Sequence, residues 1–251
     1  MTAPYPFGFI GDGLTRGVML ALPAAQVRAL LAPGLELGEQ TVTPAGTHPL
    51  IFLFHDFDHC QYSFPTLLRH MTFHEQTAGI PFTFLVTSGN ASGRAGPYCF
   101  MPKLYLDDLW VQWNGRLLWG FDKEMASVDV TESRYTVTST GGRRLASLNW
   151  STFGEDERKP VTECPEFGPV RQMLSQTLVT AFPAAAGPFF ALTDFDRRWN
   201  FGTFRPLRTK LEVDEDYMPG FAGGHWSSPH SFELAAPWWL SFPYLPLLPA
   251  G

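Results

Sequence analysis

The amino-acid sequence predicts an α+β fold in which a mainly antiparallel sheet is the larger part. The chain of 251 residues contains 22 prolines and 23 glycines, which are spread along its length and divide it into short elements. Segments with strand character outnumber those with helix character. Because neither an internal repeat nor a linker interrupts the chain, we expect a single domain over residues 1–251.

Two segments have the marks of helices. Residues 23–32 begin with a proline, which suits the first helical position, and are followed by Pro33 and Gly34, which end helices. Residues 168–182 carry apolar side chains at helical spacing.

The strand candidates are rich in β-branched and aromatic residues and are bounded by turn residues. The pair Gly141–Gly142 suits a hairpin turn, and the charged segment 154–160 suits a solvated loop. The predicted strands are residues 50–57, 82–88, 103–113, 126–132, 133–140, 141–151, 189–195 and 204–213.

Composition limits the classes of partner. The formal net charge is −6 and no long basic run occurs, which argues against nucleic acid as a ligand. No stretch of about 20 uninterrupted apolar residues occurs, so no membrane span is predicted. Only 17% of the residues are charged, against about 25% in an average protein. We therefore expect part of the surface to be buried in a homo-oligomer.

The cysteines and the N-terminus predict a cytoplasmic setting. Cys60, Cys99 and Cys164 lie far apart in the sequence, and an odd number without a C-x-x-C pair argues against a disulfide framework. The first residues also lack the charged start and the apolar run of a signal peptide.

One lysine, Lys123, follows an unusually apolar and aromatic stretch that includes Trp110, Trp113, Trp119 and Phe121. An ammonium group in such surroundings loses hydration, which favours the neutral amine. A neutral lysine amine is a nucleophile that forms a Schiff base with a ketone or an aldehyde. The alternative is a lysine that only stacks on a ring or extends its charged end to water.

The residues around Lys123 also follow a recognisable order. A Gly-x-Tyr turn at 96–98 is followed by MPKLYLDD (101–108) and then by GRLLWGFDKEMA (115–126). This order resembles the acetoacetate decarboxylase family, in detail over residues 70–130. The resemblance implies a curved barrel or cone of antiparallel strands with a few helices outside it.

The resemblance also implies the roles of individual residues. Lys123 occupies the place of the lysine that forms the Schiff base, and Glu75 lies where the family has an active-site glutamate upstream of the turn. This chemistry needs no organic cofactor and no metal, and its partner is a small carbonyl compound.

The sequence departs from the family pattern at several positions. The family has a second lysine where this chain has Glu124, and a proline where it has Asp122. If Lys123 lies on a strand, Glu124 points to the opposite face. Arg16 lies near the family's N-terminal arginine but out of register. These departures favour imine chemistry with a changed reaction, such as aldol addition, dehydration or cyclisation, on a larger and more apolar keto acid.

The candidate site residues fall into two groups. We expect Lys123, Glu75 and Glu124 to be catalytic, with the carboxylates moving protons. The candidates for substrate contacts are Tyr98, Tyr105, Trp119, Phe121 and Arg116, although the tyrosines and the arginine also suit structural roles.

Two other functions compete with this interpretation. The protein could be a non-catalytic binder of an apolar carbonyl ligand. It could also be a metal-dependent lyase or hydrolase, because His55 and His59, and likewise His70 and His74, are four residues apart and would share a face. Neither pair has the H-E-x-x-H order of a specific zinc motif, and buried histidines bonded to nearby carboxylates or carbonyls fit the same pattern.

Overall fold

Long antiparallel strands form the framework of the protein. The structure is a computed structural model that describes residues 8–62, 70–86, 94–153, 157–182, 189–228 and 230–244. The strands are β1 (Gly8–Pro23), β2 (Leu35–Leu37), β3 (Thr47–Tyr62), β4 (Met71–Val86), β5 (Arg94–Leu106), β6 (Lys123–Val130), β7 (Arg134–Ser139), β8 (Arg144–Thr152), β9 (Lys159–Pro160), β10 (Thr177–Phe182), β11 (Phe189–Thr193), β12 (Phe195–Arg197), β13 (Thr203–Val213), β14 (Gly224–Trp226) and β15 (Ser231–Ser241). The helices are α1 (Ala24–Arg28), α2 (Leu109–Trp119) and α3 (Gly168–Leu174), with short 3₁₀ turns at Val161–Glu163, Pro165–Phe167 and Trp199–Phe201.

The strands pair into one curved sheet that closes on itself. Along the sheet the order is β11-β10-β5-β6-β7-β8-β13-β15-β1-β3-β4-β2, and β4 also pairs with β5. Because β4 and β5 also pair with each other, the strands from β5 to β4 in this order form a closed barrel. Within the described part of the chain all pairings are antiparallel except β5 with β6 and β10 with β5. The predicted α+β, mainly antiparallel curved barrel with a few helices is confirmed.

Alternating side chains divide the strands between two apolar regions. On β3, Phe52 and Phe54 belong to one buried cluster, whereas Ile51 and Leu53 face a different one on the other side of the sheet. This alternation is the period of two that a strand imposes on its side chains. It also decides which residues of β3, β4, β5 and β6 reach the cavity described below.

The two longest unpredicted strands, β1 and β15, pair with each other. The glycines in β1 and the prolines near β15 obscured their strand character. The glycines of β1 are explained by close approach, because a Cβ on Gly17 would lie 2.1 Å from the ring of Phe232 and one on Gly8 would lie 2.3 Å from Nε1 of Trp239. Aromatic side chains of β15 therefore occupy the space that side chains at these positions of β1 would need.

The strand predicted over 103–113 is wrong beyond Leu106, where α2 follows instead. The carboxylate of Asp108 caps the helix by accepting a hydrogen bond from the amide of Val111 at 2.9 Å. Gly120 ends the helix in the left-handed conformation, with φ of 67°. The helix carries the chain across the sheet so that β6 returns parallel to β5.

The predicted helix over 168–182 is correct only in its first half. Helix α3 ends at Leu174, and the β-branched residues Thr177, Val179 and Thr180 form β10. The predicted strand over 82–88 is only the end of β4, which begins at Met71, and the remaining predicted strands occur with shifts of a few residues at their ends. Residues 87–88 of the predicted strand over 82–88, and 154–156 of the predicted loop, lie outside the described residues. None of the described helices is long and apolar enough to cross a membrane.

Candidate active site

A small cavity lies between the sheet and the segments that cover it. Its volume is about 70 Å³, and its wall is mainly apolar. Side chains from distant parts of the chain form that wall, including Leu53, Phe57, Phe73, Phe195 and Trp238. His55, Glu75, Lys123 and Arg197 also line it.

Strand register brings Glu75 and Lys123 together. Glu75 on β4 pairs with Leu106 on β5, and Leu104, two residues earlier on the same face, pairs with Lys123 at the start of β6. The Lys123 ammonium donates a hydrogen bond from Nζ to Oε2 of Glu75 at 2.6 Å. The two side chains are 8% and 9% exposed, so this is a buried ion pair at the cavity wall.

Helix α2 covers the aliphatic part of Lys123. A Cβ on Gly115 would lie 2.6 Å from Cδ and 2.7 Å from Cε of Lys123, closer than real Cβ contacts. The absence of a side chain at Gly115 therefore leaves room for the lysine to extend from β6 towards Glu75. The side chain of Gln112 adds a hydrogen bond to the carbonyl of Lys123 at 3.2 Å.

His55 faces the cavity as a neutral imidazole. Its Nδ1 lies 2.8 Å from Oγ1 of Thr15, and its ring stacks on Phe57 at 4.7 Å between centroids. Burial lowers the pKa of His55 well below its usual value, and the charges of Arg197 and Lys123 lower it further. The imidazole can therefore donate or accept a hydrogen bond without adding charge to the cavity.

Arg197, at the end of β12, is the charged residue that the sequence analysis missed. Its side chain is buried, its guanidinium lies 4.2 Å from the ring centroid of Phe195, and Nη1 donates a hydrogen bond to the carbonyl of Leu174 at 3.0 Å. Burial lowers the pKa of Arg197 to about 9, which leaves the group protonated at neutral pH. No described carboxylate forms an ion pair with it.

The structure places one of the predicted substrate contacts, Phe121, at the cavity wall, with its ring centroid 5.4 Å from Nζ of Lys123. Tyr105 points away and donates a hydrogen bond to the carbonyl of Tyr217 at 2.7 Å, and Trp119 donates to the carbonyl of Ser241 at 2.7 Å. Tyr98 and Arg116 also lie outside the cavity wall, and Arg116 is exposed on α2.

Glu124 lies on the opposite face of β6 from Lys123. It forms an ion pair with Lys103, whose Nζ also donates a hydrogen bond to Asp122 at 3.0 Å. Arg16 is likewise outside the cavity, where it pairs with Asp56 at 2.7 Å and with Glu233 at 3.1 Å. The structure therefore brings together Lys123, Glu75 and Phe121 from the predicted set and adds His55 and Arg197 to them.

The histidine pairs do not converge on one point. His55 lines the cavity, whereas the side chain of His59 is 69% exposed, because the β3–β4 register shifts between them. His74 forms a hydrogen bond to Asp107 at 2.7 Å. Among the described residues no group of three or more histidine, cysteine, aspartate or glutamate side chains is placed to hold a metal ion.

Comparison with known proteins finds relatives in structure but not in sequence. No protein-family model and no curated protein matches the chain. An acetoacetate decarboxylase from Legionella pneumophila superposes with a TM-score of 0.64 at 13% identity, covering 98% of this chain and 92% of that one. The enduracididine biosynthesis enzyme MppR with HEPES buffer bound gives 0.60 at 15% identity, covering 98% and 88%.

A third similar structure is an acetoacetate decarboxylase-like enzyme from Sphingomonas wittichii RW1, with a TM-score of 0.60 at 12% identity and coverage of 95% of this chain and 93% of that one. Identities this low show a shared fold, and the coverage shows that it extends over nearly the whole length of each chain. The protein therefore has the acetoacetate decarboxylase-like fold.

Proposed function

We propose that the protein is a lyase that forms a Schiff base between Lys123 and a small keto acid or related carbonyl compound. The observation that carries the proposal is the position of Lys123. Its Nζ lies at the wall of a small apolar cavity, 2.6 Å from the buried carboxylate of Glu75. Nucleophile and base within hydrogen-bond reach are the arrangement that covalent catalysis requires.

Glu75 supplies the proton transfers. Its carboxylate accepts a proton from the Lys123 ammonium, and the neutral amine then attacks the substrate carbonyl to give a carbinolamine. Glu75 returns the proton to the hydroxyl group, which leaves as water and gives the iminium ion. The iminium accepts the electron pair released when carbon dioxide or a proton leaves the adjacent carbon, and the product is an enamine.

The surroundings assist these steps in two ways. The apolar wall, with Phe121 and Trp238 in it, limits the access of water that would hydrolyse the iminium. His55 faces the same cavity as a neutral imidazole and can relay a proton to or from the enamine carbon.

The cavity volume favours a small substrate. A volume of about 70 Å³ is well below the roughly 300–1,000 Å³ of pockets that hold drug-sized ligands. This supports a keto acid of about three or four carbon atoms rather than the larger one expected from the sequence. After enamine formation, a second small carbonyl compound, or a proton, completes an aldol or a decarboxylation reaction.

Borohydride trapping tests the proposal. The protein is incubated with pyruvate, acetoacetate, acetone and small aldehydes, then reduced and digested for peptide mass spectrometry. We expect a stable adduct on Lys123 that is absent from Lys123→Ala. Lys103→Ala is the matched control, because Lys103 is also buried but faces away from the cavity, and it should retain the adduct.

The absence of an adduct from the folded wild-type protein across this panel would overturn the proposal. Binding of the same compounds without trapping would instead support a non-catalytic role for the cavity.

A further inference from the structure

We propose that the guanidinium of Arg197 binds the carboxylate of the substrate, so that the cavity selects small keto monocarboxylates over neutral ketones and aldehydes. This inference rests on the proposed function for the role of Lys123, and it adds the group that recognises the acid. Arg16 does not have this role, because the carboxylates of Asp56 and Glu233 hold it outside the cavity.

The first argument is the unbalanced charge of Arg197. Its side chain is buried, yet the only hydrogen bond of its guanidinium within the described chain goes to the carbonyl of Leu174. A guanidinium has five N–H donors, so most of its hydrogen-bonding capacity is unused. Buried charges are normally paired, because an unpaired one loses hydration without compensation. A bound anion would supply the missing partner.

The second argument is the net charge of the whole cavity. Lys123 and Glu75 neutralise each other at 2.6 Å, and His55 is held neutral by burial. The Cys99 thiol, also in the wall, is neutral because burial raises its pKa to about 12. Arg197 therefore leaves one uncompensated positive charge, which a monoanion would balance and a dianion would exceed.

The third argument is the shape of the anion that fits. The planar fork of a guanidinium matches a carboxylate with two parallel hydrogen bonds. The carbonyl of Leu174 fixes one side of the guanidinium at 3.0 Å, and the ring of Phe195 lies 4.2 Å from its central carbon. A cavity of about 70 Å³ holds one small molecule, so the carboxylate bound by Arg197 and the carbonyl attacked by Lys123 belong to the same compound.

The test compares pyruvate with pyruvamide, its neutral analogue of nearly the same shape. Adduct formation on Lys123 is measured at increasing ligand concentration in the wild-type protein, in Arg197→Met and in Arg198→Met. Arg198 is the adjacent residue and is exposed, so its variant controls for the same chemical change outside the cavity.

We expect Arg197→Met to raise the half-saturating pyruvate concentration by about tenfold or more, the size of a lost charge-assisted hydrogen-bond pair. Its effect on pyruvamide should stay below about twofold, and Arg198→Met should change neither. Equal effects of Arg197→Met on both ligands, or none on either, would overturn this inference while leaving imine formation by Lys123 intact.

A second readout separates this inference from the proposed function. Propionate and propionamide have no keto group and bind without covalent chemistry, so their effect on the thermal unfolding temperature reports only on the anion site. Propionate should raise that temperature in the wild-type protein and in Arg198→Met but not in Arg197→Met, whether or not Lys123 forms an imine.

If Arg197→Met does not fold, the wild-type protein alone decides the question. A preference for propionate over propionamide supports the carboxylate site, and equal stabilisation by the two overturns it.

Discussion

Two buried lysines lie on neighbouring strands and differ in what surrounds their carboxylate partners. Lys103 on β5 pairs with Asp122 and Glu124, whose side chains are each 53% exposed. Lys123 on β6 pairs with Glu75, whose side chain is 9% exposed and lines the cavity. The ion pairs have the same chemistry, so the difference teaches that access to the cavity, rather than the pairing itself, distinguishes Lys123 as the proposed nucleophile.

The largest expected effect is on the rate of adduct formation, and it distinguishes Glu75 from Glu124. Under the proposed mechanism Glu75 accepts and returns the proton of Lys123, so Glu75→Gln should slow adduct formation with a saturating keto acid by about 10²–10⁴-fold. Glu124→Gln should change the rate only slightly, since Glu124 faces away from the cavity. The rate of borohydride-trapped adduct formation measures both. Comparable losses in the two variants would mean that the two faces of β6 are not functionally distinct.

The next effect is on stability. Lys123→Met leaves Glu75 as an uncompensated buried charge, so we expect the free energy of unfolding to fall by about 3–5 kcal/mol at neutral pH. Lys103→Met leaves carboxylates that water can reach, and the expected loss is about 0–1 kcal/mol. Urea unfolding of the two variants measures the difference. A larger loss for Lys103→Met would contradict the assignment of Lys123 to the more enclosed site.

A smaller effect on stability is expected from filling the space that α2 leaves for Lys123. The added methyl group of Gly115→Ala would clash with Cδ and Cε of the lysine, which should cost about 1–3 kcal/mol of stability. It should also slow adduct formation. Gly168→Ala is the matched control, because an added Cβ there meets nothing within 4 Å, and it should be neutral or slightly stabilising. Equal stabilities of the two variants would show that α2 shifts freely.

The smallest effect is a pH dependence that has opposite signs for two histidines. Burial lowers the pKa of His55, so its contribution to stability is present above its unfolded pKa, near 6.5, and is lost as the pH falls below that value. The hydrogen bond to Asp107 raises the pKa of His74. The contribution of His74 is therefore present below about pH 6.5 and is lost as the pH rises through the raised pKa.

Urea unfolding at pH 5 and pH 7.5 measures this contrast. The stability difference between the wild-type protein and His55→Gln should be larger at pH 7.5, and that between the wild-type protein and His74→Gln should be larger at pH 5. If the stability difference changed with pH in the same direction for both variants, the two histidines would not have pKa shifts of opposite sign.

Local pattern predicted many of the strands but not β1, β10 or β15, and it predicted neither α2 nor Arg197. The family resemblance, rather than local pattern, suggested that Glu75 belongs to the same site as Lys123. Helix α2 exposes Trp110, Trp113 and Leu117, so its sequence lacks the polar face by which an amphipathic helix is recognised. Only its capping residues, Asp108 and Gly120, carried a helix signal.

Arg197 was missed because nothing near it in the sequence marks it as buried. It stands beside Asp196 and Arg198, which are exposed, and only the pairing of β12 with β15 carries it inward. Such contacts join residues that are distant in the chain. The homo-oligomer and the cytoplasmic setting stay predictions.

The short connection between α2 and β6 sets which residue of β6 faces Glu75 across the cavity wall. Gly120, Phe121 and Asp122 separate the end of the helix from Lys123, which pairs with Leu104. Because side chains alternate along a strand, deleting one of these residues would place Glu124 opposite Leu104. The cavity would then contain two carboxylates and no amine. The length of this connection therefore determines whether an amine or a second carboxylate lies beside Glu75.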